Sequence, residues 1–162
     1  MRNARTLPRI ISCLAVSLSL VTAPGLALRA ERALETGPRI DSPGLPAASV
    51  AEIRNVILGQ LDAFRVDDAE KAFSFAAPQI KRVFGTPEMF LFVVRKSYRA
   101  VYRPKSFEFR DLTRIEGNIV QPLAVVGPTG VSETALYVME RQSDGSWKIA
   151  ACIMAREPGQ DA

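Results

Sequence analysis

The feature that most constrains the fold is a predicted hairpin near the carboxyl end of the chain, residues 140–149. Asp144-Gly145, a pair typical of tight turns, lies between two runs of β-forming residues, and Trp147-Lys148-Ile149 follows at once. The preceding half of the chain has a helical hydrophobic period instead. Helices followed by a meander that such a hairpin closes predict an α+β domain, shaped as a cone with a central cavity.

Two registers fit this hairpin. A two-residue turn places Arg141 opposite Lys148, whereas a three-residue loop with Gly145 left-handed places Glu140 opposite Lys148. An opposite-charge pair across strands contributes roughly 0.2–1 kcal/mol. We therefore predict the three-residue loop.

In this register the two faces of the hairpin hold different residues. One face holds Tyr137, Met139, Trp147, Ile149 and Ala151, and the other holds Leu136, Val138, Ala150 and Cys152. Both sets are apolar, and helices cover only one face. An exposed patch of this kind is unusual for a monomer, so we predict a homodimer that pairs through the sheet.

Three helices are predicted before the sheet. Ser49-Val50-Ala51-Glu52 has the capping-box pattern, and an apolar stripe at helical spacing then runs to about Phe64. A second box, Asp67-Asp68-Ala69-Glu70, begins a short helix with a narrow apolar face. After Pro78, one more turn ends at Gly85.

The third helix has the clearest start signal in the chain. Thr86 is the expected cap, and Pro87 occupies the first helical position. Apolar residues then cover much of its circumference, which predicts a well-buried helix. These residues are Met89, Phe90, Phe92, Val93 and Val94.

After Pro104 the hydrophobic period changes to two, which predicts four strands in an antiparallel meander. Phe107 and Phe109 mark the first strand. Ile119–Val126 is the second, in which Pro122 indicates an edge or a bulge. Ser132–Arg141 and Trp147–Met154 complete the meander.

The amino-terminal segment has the layout of a secretory signal peptide. Three arginines precede the apolar run Ile10–Val21, and the small residues Gly25 and Ala27 follow. We predict a signal peptide over residues 1–27, a flexible linker over 28–48, the domain over 49–157 and a tail over 158–162. The mature protein is then periplasmic or secreted and has no transmembrane span. An uncleaved membrane anchor is the alternative.

Cleavage changes what the composition implies. Removal of three of the 21 basic residues leaves 18 against 17 acidic ones, a net charge of +1, which does not favour nucleic-acid binding. The chain has no histidine, so triads and metal sites that need imidazole are excluded. Cys152 is the one cysteine left, and in an apolar strand we interpret it as a small buried hydrophobe rather than a nucleophile. No metal or cofactor is predicted.

Several short motifs resemble the DUF4864 family, whose members are exported bacterial proteins of unknown function. They are residues 60–65 (QLDAFR), 72–78 (AFSFAAP), 84–88 (FGTPE), 102–104 (YRP) and 144–147 (DGSW). The resemblance covers about Val50 to Ala155. It implies an NTF2-like fold, in which helices pack on a curved antiparallel four-strand meander. It implies no activity and therefore supplies no catalytic residue.

The candidate ligand-binding residues are Tyr98, Tyr102 and Arg103, which join the last helix to the sheet. Phenol and guanidinium groups at such a junction can hold an anionic or aromatic ligand. The alternative is a packed connector with solvated arginines. Seven basic and two acidic residues in Arg95–Arg114 indicate either an anionic partner or a solvated flank.

These observations predict a non-catalytic module of the cell envelope that binds a small molecule or an envelope protein. The alternative is a small-molecule enzyme of isomerase, cyclase or hydrolase type that uses carboxylate and tyrosine groups in the cone. Asp67 and Asp68 are the candidate acid/base pair, although both also fit as helix caps. An inward acid with a shifted pKa beside a donor would favour the enzyme.

Overall fold

The computed structural model describes residues 40–41 and 43–156. The chain divides into two units, Met1–Gly37 and Pro38–Ala162, and the described residues belong to the second. The predicted signal peptide, its cleavage site, the membrane-anchor alternative and the tail lie outside the described residues. Within the described part, no helix combines the length and apolarity needed to cross a bilayer.

Five helices lie between Ala47 and Tyr102 in the described residues. They are α1 (Ala47–Arg65), α2 (Ala69–Ser74), α3 (Pro78–Phe84), α4 (Pro87–Ser97) and α5 (Arg99–Tyr102).

The stripe predicted for the first helix is confirmed, but its capping box is wrong. Ile53, Ile57 and Phe64 are almost fully buried against the sheet. The helix begins at Ala47, where Pro46 supplies no side-chain cap, so Ser49 lies inside the first turn. Ala47 and Ala48 have the highest helix propensity of any residue type, so the helix begins two residues before Ser49, the predicted cap.

The cap of α2 lies one residue later than the second predicted box. The carboxylate of Asp68 accepts a hydrogen bond from the backbone N–H of Lys71 at 2.9 Å. Asp67 precedes the cap in the left-handed region, with φ of 59°. The prediction that both aspartates cap the helix is therefore wrong for Asp67.

The start and stop signals of the next two helices are confirmed. Gly85 ends α3 with φ of 74°, a conformation that glycine adopts without steric cost. The hydroxyl of Thr86 accepts from the N–H of Met89 at 3.2 Å. The prediction that α4 is well buried is only partly right, because Phe92 is 57% exposed and Met89 52%.

The strands form one antiparallel sheet, and all of them except the short first strand follow the helices, as predicted for an α+β domain. They are β1 (Ile40–Asp41), β2 (Ser106–Phe109), β3 (Thr113–Ile115), β4 (Asn118–Val126), β5 (Ser132–Arg141) and β6 (Trp147–Arg156). The order is β1-β3-β4-β5-β6, and β2 pairs with β4 alongside β3. Five strands follow the helices rather than the predicted four, and the two-residue β1 adds another.

A break between two neighbouring strands explains why β4 can contain Pro122. β2 and β3 pair end to end along β4, and Pro122 lies opposite the gap between them. Its carbonyl accepts from the N–H of Arg110 at 3.0 Å, so its ring nitrogen also faces the gap and no ladder bond to β5 is lost. The side chain of Gln121, fully buried, donates to the carbonyls of Arg110 and Pro122 at 2.7 and 2.9 Å.

The predicted register of the last hairpin is confirmed. Glu140 lies opposite Lys148, Met139 lies opposite Ile149, and Gly145 has φ of 84°. A bulge at Ala150 then shifts the pairing, so that Tyr137 lies opposite Cys152. The predicted faces are wrong beyond the bulge: Cys152 lies on the core face with Tyr137, and Ala151 moves to the outer face.

The helices are joined to β6 by backbone contacts. The segment between α2 and α3 runs beside the strand: Ile149 donates to the carbonyl of Phe75 at 3.0 Å, and Ala77 donates to Ile149 at 2.8 Å. Trp147 and Ile149 lie in the core, as predicted. The outer face of the sheet is partly exposed at Leu136 and Ile153. The sheet-to-sheet homodimer stays a prediction.

Candidate functional site

An open groove of about 1000 Å³ lies where α4 and α5 face the turn between β4 and β5. We call it the basic groove. Its helical wall carries four cations, and Pro128 and Val131 lie on the opposite wall. The four cations are Arg95, Lys96, Arg99 and Arg103. Three carboxylates, Asp67, Glu88 and Glu133, also line the groove, so its cations outnumber its acids by one, beside apolar surface.

A cluster of three side chains forms one end of this groove; we call it the Asp67 cluster. The hydroxyl of Tyr102 donates to one carboxylate oxygen of Asp67, and Nη2 of Arg103 donates to the other at 2.9 Å. The same Nη2 lies 3.3 Å from the Tyr102 oxygen. Each member contacts the other two, so the phenol and the guanidinium are held in fixed relative positions.

The backbone of Asp67 brings its carboxylate into this cluster. A positive φ is uncommon outside glycine but enriched in aspartate, whose short side chain tolerates it. The left-handed turn between α1 and α2 keeps Asp67 out of the cap position that Asp68 fills. The turn thus presents the carboxylate to the connector 35 residues later in the chain.

The electrostatics of the cluster keep both partners charged. The hydrogen bond from Tyr102, and then the positive charge of Arg103, hold the pKa of Asp67 below its ordinary value. The pKa of Arg103 is raised, first by Tyr102 and then by Asp67. Asp67 is consequently a weak proton acceptor at neutral pH, and both of its oxygens already have donors.

Three other basic residues of the groove have no carboxylate within salt-bridge distance in the described part of the chain: Arg95, Lys96 and Arg99. The guanidinium of Arg95 lies 5.7 Å from the centre of the Tyr102 ring, and Nζ of Lys96 lies 5.9 Å from that of Phe92. Phe92, expected in the core, instead contributes an exposed ring to the groove.

The three predicted ligand-binding residues do not form one site. Tyr102 and Arg103 lie together at the groove, whereas Tyr98 lines a separate, partly open space of about 220 Å³ between the helices and the sheet. We call this space the inner cavity. Tyr98 separates α4 from α5, and the short α5 directs Tyr102 toward Asp67 instead.

The inner cavity has mostly apolar walls with a few uncharged polar groups. The amide of Gln60 donates to the carbonyl of Ala72 at 3.2 Å. The hydroxyl of Tyr137 is fully buried and makes no hydrogen bond of normal geometry in the described residues. Its pKa is raised first by burial and then by the neighbouring Cys152 thiol, a weak hydrogen-bonding group. Cys152 is only half-buried as a residue, but burial of its sulfur raises the thiol pKa to about 12. The thiol is therefore protonated at neutral pH, as expected for an unreactive cysteine.

Comparison with known proteins assigns the family. The model of DUF4864, a domain of unknown function, matches residues 46–162. The chain belongs to the DUF4864 family. No curated protein and no solved structure matches it. The matched region of this DUF4864 protein contains both the basic groove and the inner cavity.

Sequence reasoning misses two features of this DUF4864 domain. It names Asp67 as a helix cap or one of an acid/base pair, but no pattern indicates a left-handed aspartate that bonds to a residue 35 positions later. Tyr137 was placed correctly on the core face, but the lack of a partner for its hydroxyl depends on the packing around it. The basic run did contain the groove cations, whereas Arg110 in the same run pairs with Glu108 at 3.1 Å.

Proposed function

We propose that this protein is a non-catalytic ligand-binding module of the cell envelope, and that its ligand is an organic anion with an apolar body. The observation that carries the proposal is the set of three groove cations that form no salt bridge among the described residues, beside the exposed ring of Phe92. They outnumber the two other acids of the groove, Glu88 and Glu133. A carboxylate, sulfonate or phosphate group would pair with these cations, and the apolar part would cover Phe92 and Val131.

The Asp67 cluster supports binding by holding one cation in place. Arg103 is anchored by Asp67 and lies with its guanidinium carbon 4.9 Å from the centre of the Tyr102 ring. An arginine whose position is already fixed loses less conformational entropy when an anion binds to it. Arg95, near the same ring, would supply a second contact to the bound group.

The chemistry of the acids favours binding over catalysis. A general base is most effective when its pKa lies near the working pH. The pKa of Asp67 is instead shifted downward, and no carboxylate lines the inner cavity, where the enzyme alternative requires one. Asp68 is used as a helix cap.

We further propose that the domain is an NTF2-like cone that is exported to the periplasm or secreted. Supporting the cone, α1 and the α2–α3 segment cover one face of an antiparallel sheet, and a cavity lies between the two layers. Supporting export, the first 27 residues have a basic head followed by an apolar run.

The experiment is a thermal-shift and calorimetric screen of the purified domain against C8 carboxylate, sulfonate and phosphate, with octanol as the uncharged control. We expect at least one anion, and not octanol, to raise the melting temperature of the wild type. Arg103→Ala should weaken that binding about tenfold, the usual size of one charge-assisted hydrogen bond.

The matched control is Arg65→Ala. Arg65 is an exposed arginine that also pairs with an aspartate, Asp62 at 2.8 Å, but it lies outside the groove. Its removal should leave anion affinity unchanged. If no anion binds, or if both substitutions weaken binding equally, the groove is not the ligand site.

A further inference from the structure

The inner cavity contains a buried polar atom that the fold satisfies poorly. Tyr137 is fully buried on β5, lines the cavity, and its hydroxyl makes no hydrogen bond of normal geometry in the described residues. The Cys152 thiol, a weak hydrogen-bonding group, is its neighbour. Buried polar groups are paired in the great majority of native structures, and an unpaired one calls for a physical reason. A hydroxyl at a cavity wall can obtain its partner from a molecule inside the cavity.

The walls restrict the charge of such a molecule. No residue lining the cavity is acidic or basic. The Cys152 thiol remains protonated at neutral pH, since burial raises its pKa to about 12. Transfer of an ion into surroundings without a countercharge is strongly unfavourable. The occupant must be uncharged.

The volume restricts its size. About 220 Å³ is below the usual range of ligand pockets, roughly 300–1000 Å³. An apolar cavity of about 150 Å³ is known to accept benzene. The space therefore fits one ring with a small substituent, and phenylalanine rings such as Phe64 and Phe90 on its walls suit an aromatic occupant.

The cavity also has a route to solvent. Ile80, Phe84 and Tyr98 line it and are partly exposed, while Phe64, Tyr137 and Ile149 form its buried part. The opening of the cavity therefore lies near α3 and the α4–α5 junction.

We propose that the inner cavity is a second binding site, distinct from the basic groove, for a compact uncharged ring compound that accepts a hydrogen bond from the hydroxyl of Tyr137. An aromatic ketone or aldehyde has this chemistry: the ring fills the apolar space, and the carbonyl oxygen is the acceptor. The site requires none of the groove cations, so its test is independent of the test for anion binding.

The test compares acetophenone with cumene, which has a similar shape but no acceptor, by NMR titration of the folded domain. Both should shift resonances of Phe90 and Cys152, and acetophenone should show contacts to the Tyr137 ring. In Tyr137→Phe, the affinity of acetophenone relative to cumene should fall by about 3- to 10-fold, as expected for one neutral hydrogen bond.

Tyr102→Phe is the matched control, because it removes a tyrosine hydroxyl outside the cavity and should leave that ratio unchanged. An unchanged ratio in Tyr137→Phe would overturn the proposal. If Tyr137→Phe does not fold, the titration of the wild type decides. The proposal is then overturned if acetophenone shows no contacts to Tyr137 and water alone fills the cavity.

Discussion

Two tyrosines, Tyr102 and Tyr137, show how differently the two sites of this domain are built. The hydroxyl of Tyr102 donates to Asp67 at the groove, where solvent and charged groups meet. The hydroxyl of Tyr137 is buried at the wall of the inner cavity and makes no hydrogen bond of normal geometry in the described residues. At the groove the polar groups satisfy one another and leave cations available for a ligand. In the cavity a single unsatisfied donor is available.

The largest expected difference between the two sites is in stability. Tyr137→Ala should lower the free energy of unfolding by about 3–5 kcal/mol, since it removes a fully buried ring. Tyr102→Ala should cost clearly less, because Tyr102 is partly exposed. Denaturant unfolding of both variants measures this, and equal losses would show that Tyr137 is not in a packed core.

The second-largest effect is expected at high pH, where titration of Cys152 should lower the stability of the folded protein. The pKa of Cys152 is raised from 9.0 to about 12 in the folded state, so the unfolded chain loses this proton first. The stability it contributes is present below pH 9 and is lost as the pH rises toward 12, by up to about 1.4 kcal/mol per pH unit.

The measurement is the unfolding free energy of the wild type and Cys152→Ala over that pH range. Tyr137, whose pKa is raised first by burial and then by Cys152, is present in both proteins, so the part of its contribution that comes from burial cancels in the difference. Parallel pH profiles, or rapid labelling of the native thiol at neutral pH, would contradict the buried state of the sulfur.

The sequence predicts well wherever one short segment determines the outcome. Thr86 and Gly85 cap and end helices because their partners lie within a few residues. The register at Glu140 and Lys148 follows from the loop that joins them. These contacts are local, so a pattern over a few residues contains the necessary information.

The sequence fails where a competing local signal or the packing of the whole domain overrides a short pattern. Ser49 fits a capping box, yet Ala47 and Ala48 extend the helix past it. Phe92 matches a core position, but its part of α4 faces an open groove instead of the sheet. The bulge at Ala150 reverses the faces of β6, because one inserted residue changes every later pairing. Tyr98 and Tyr102 are close in sequence but line different sites.

A smaller effect should separate the two hydroxyls themselves. Tyr137→Phe should change the unfolding free energy by less than about 1 kcal/mol in either direction, since the lost hydroxyl makes no hydrogen bond of normal geometry in the described residues. Tyr102→Phe should be destabilising, because the carboxylate of Asp67 loses the hydrogen bond that the Tyr102 hydroxyl donates to it. A large loss for Tyr137→Phe would indicate that its hydroxyl is hydrogen-bonded in solution.

The smallest effect concerns acid stability at the groove. The folded-state pKa of Asp67 is depressed, so its contribution is present above the unfolded value of 3.8 and is lost as the pH falls through the folded value. As the pH falls below 3.8, the unfolding free energy of Asp67→Asn should therefore decrease less than that of the wild type. The difference should shrink in high salt, because the pair is exposed to solvent. Identical melting curves at every pH would show that the cluster does not persist.

The central claim is that the basic groove holds the anion, and arginine side-chain NMR tests it most directly. Titration of the wild type with octanoate should shift the Nε–Hε resonances of Arg95, Arg99 and Arg103 saturably, with one dissociation constant. The resonance of Arg65 should not move. Saturable shifts confined to residues outside the groove, or no saturable shift at all, would contradict the account.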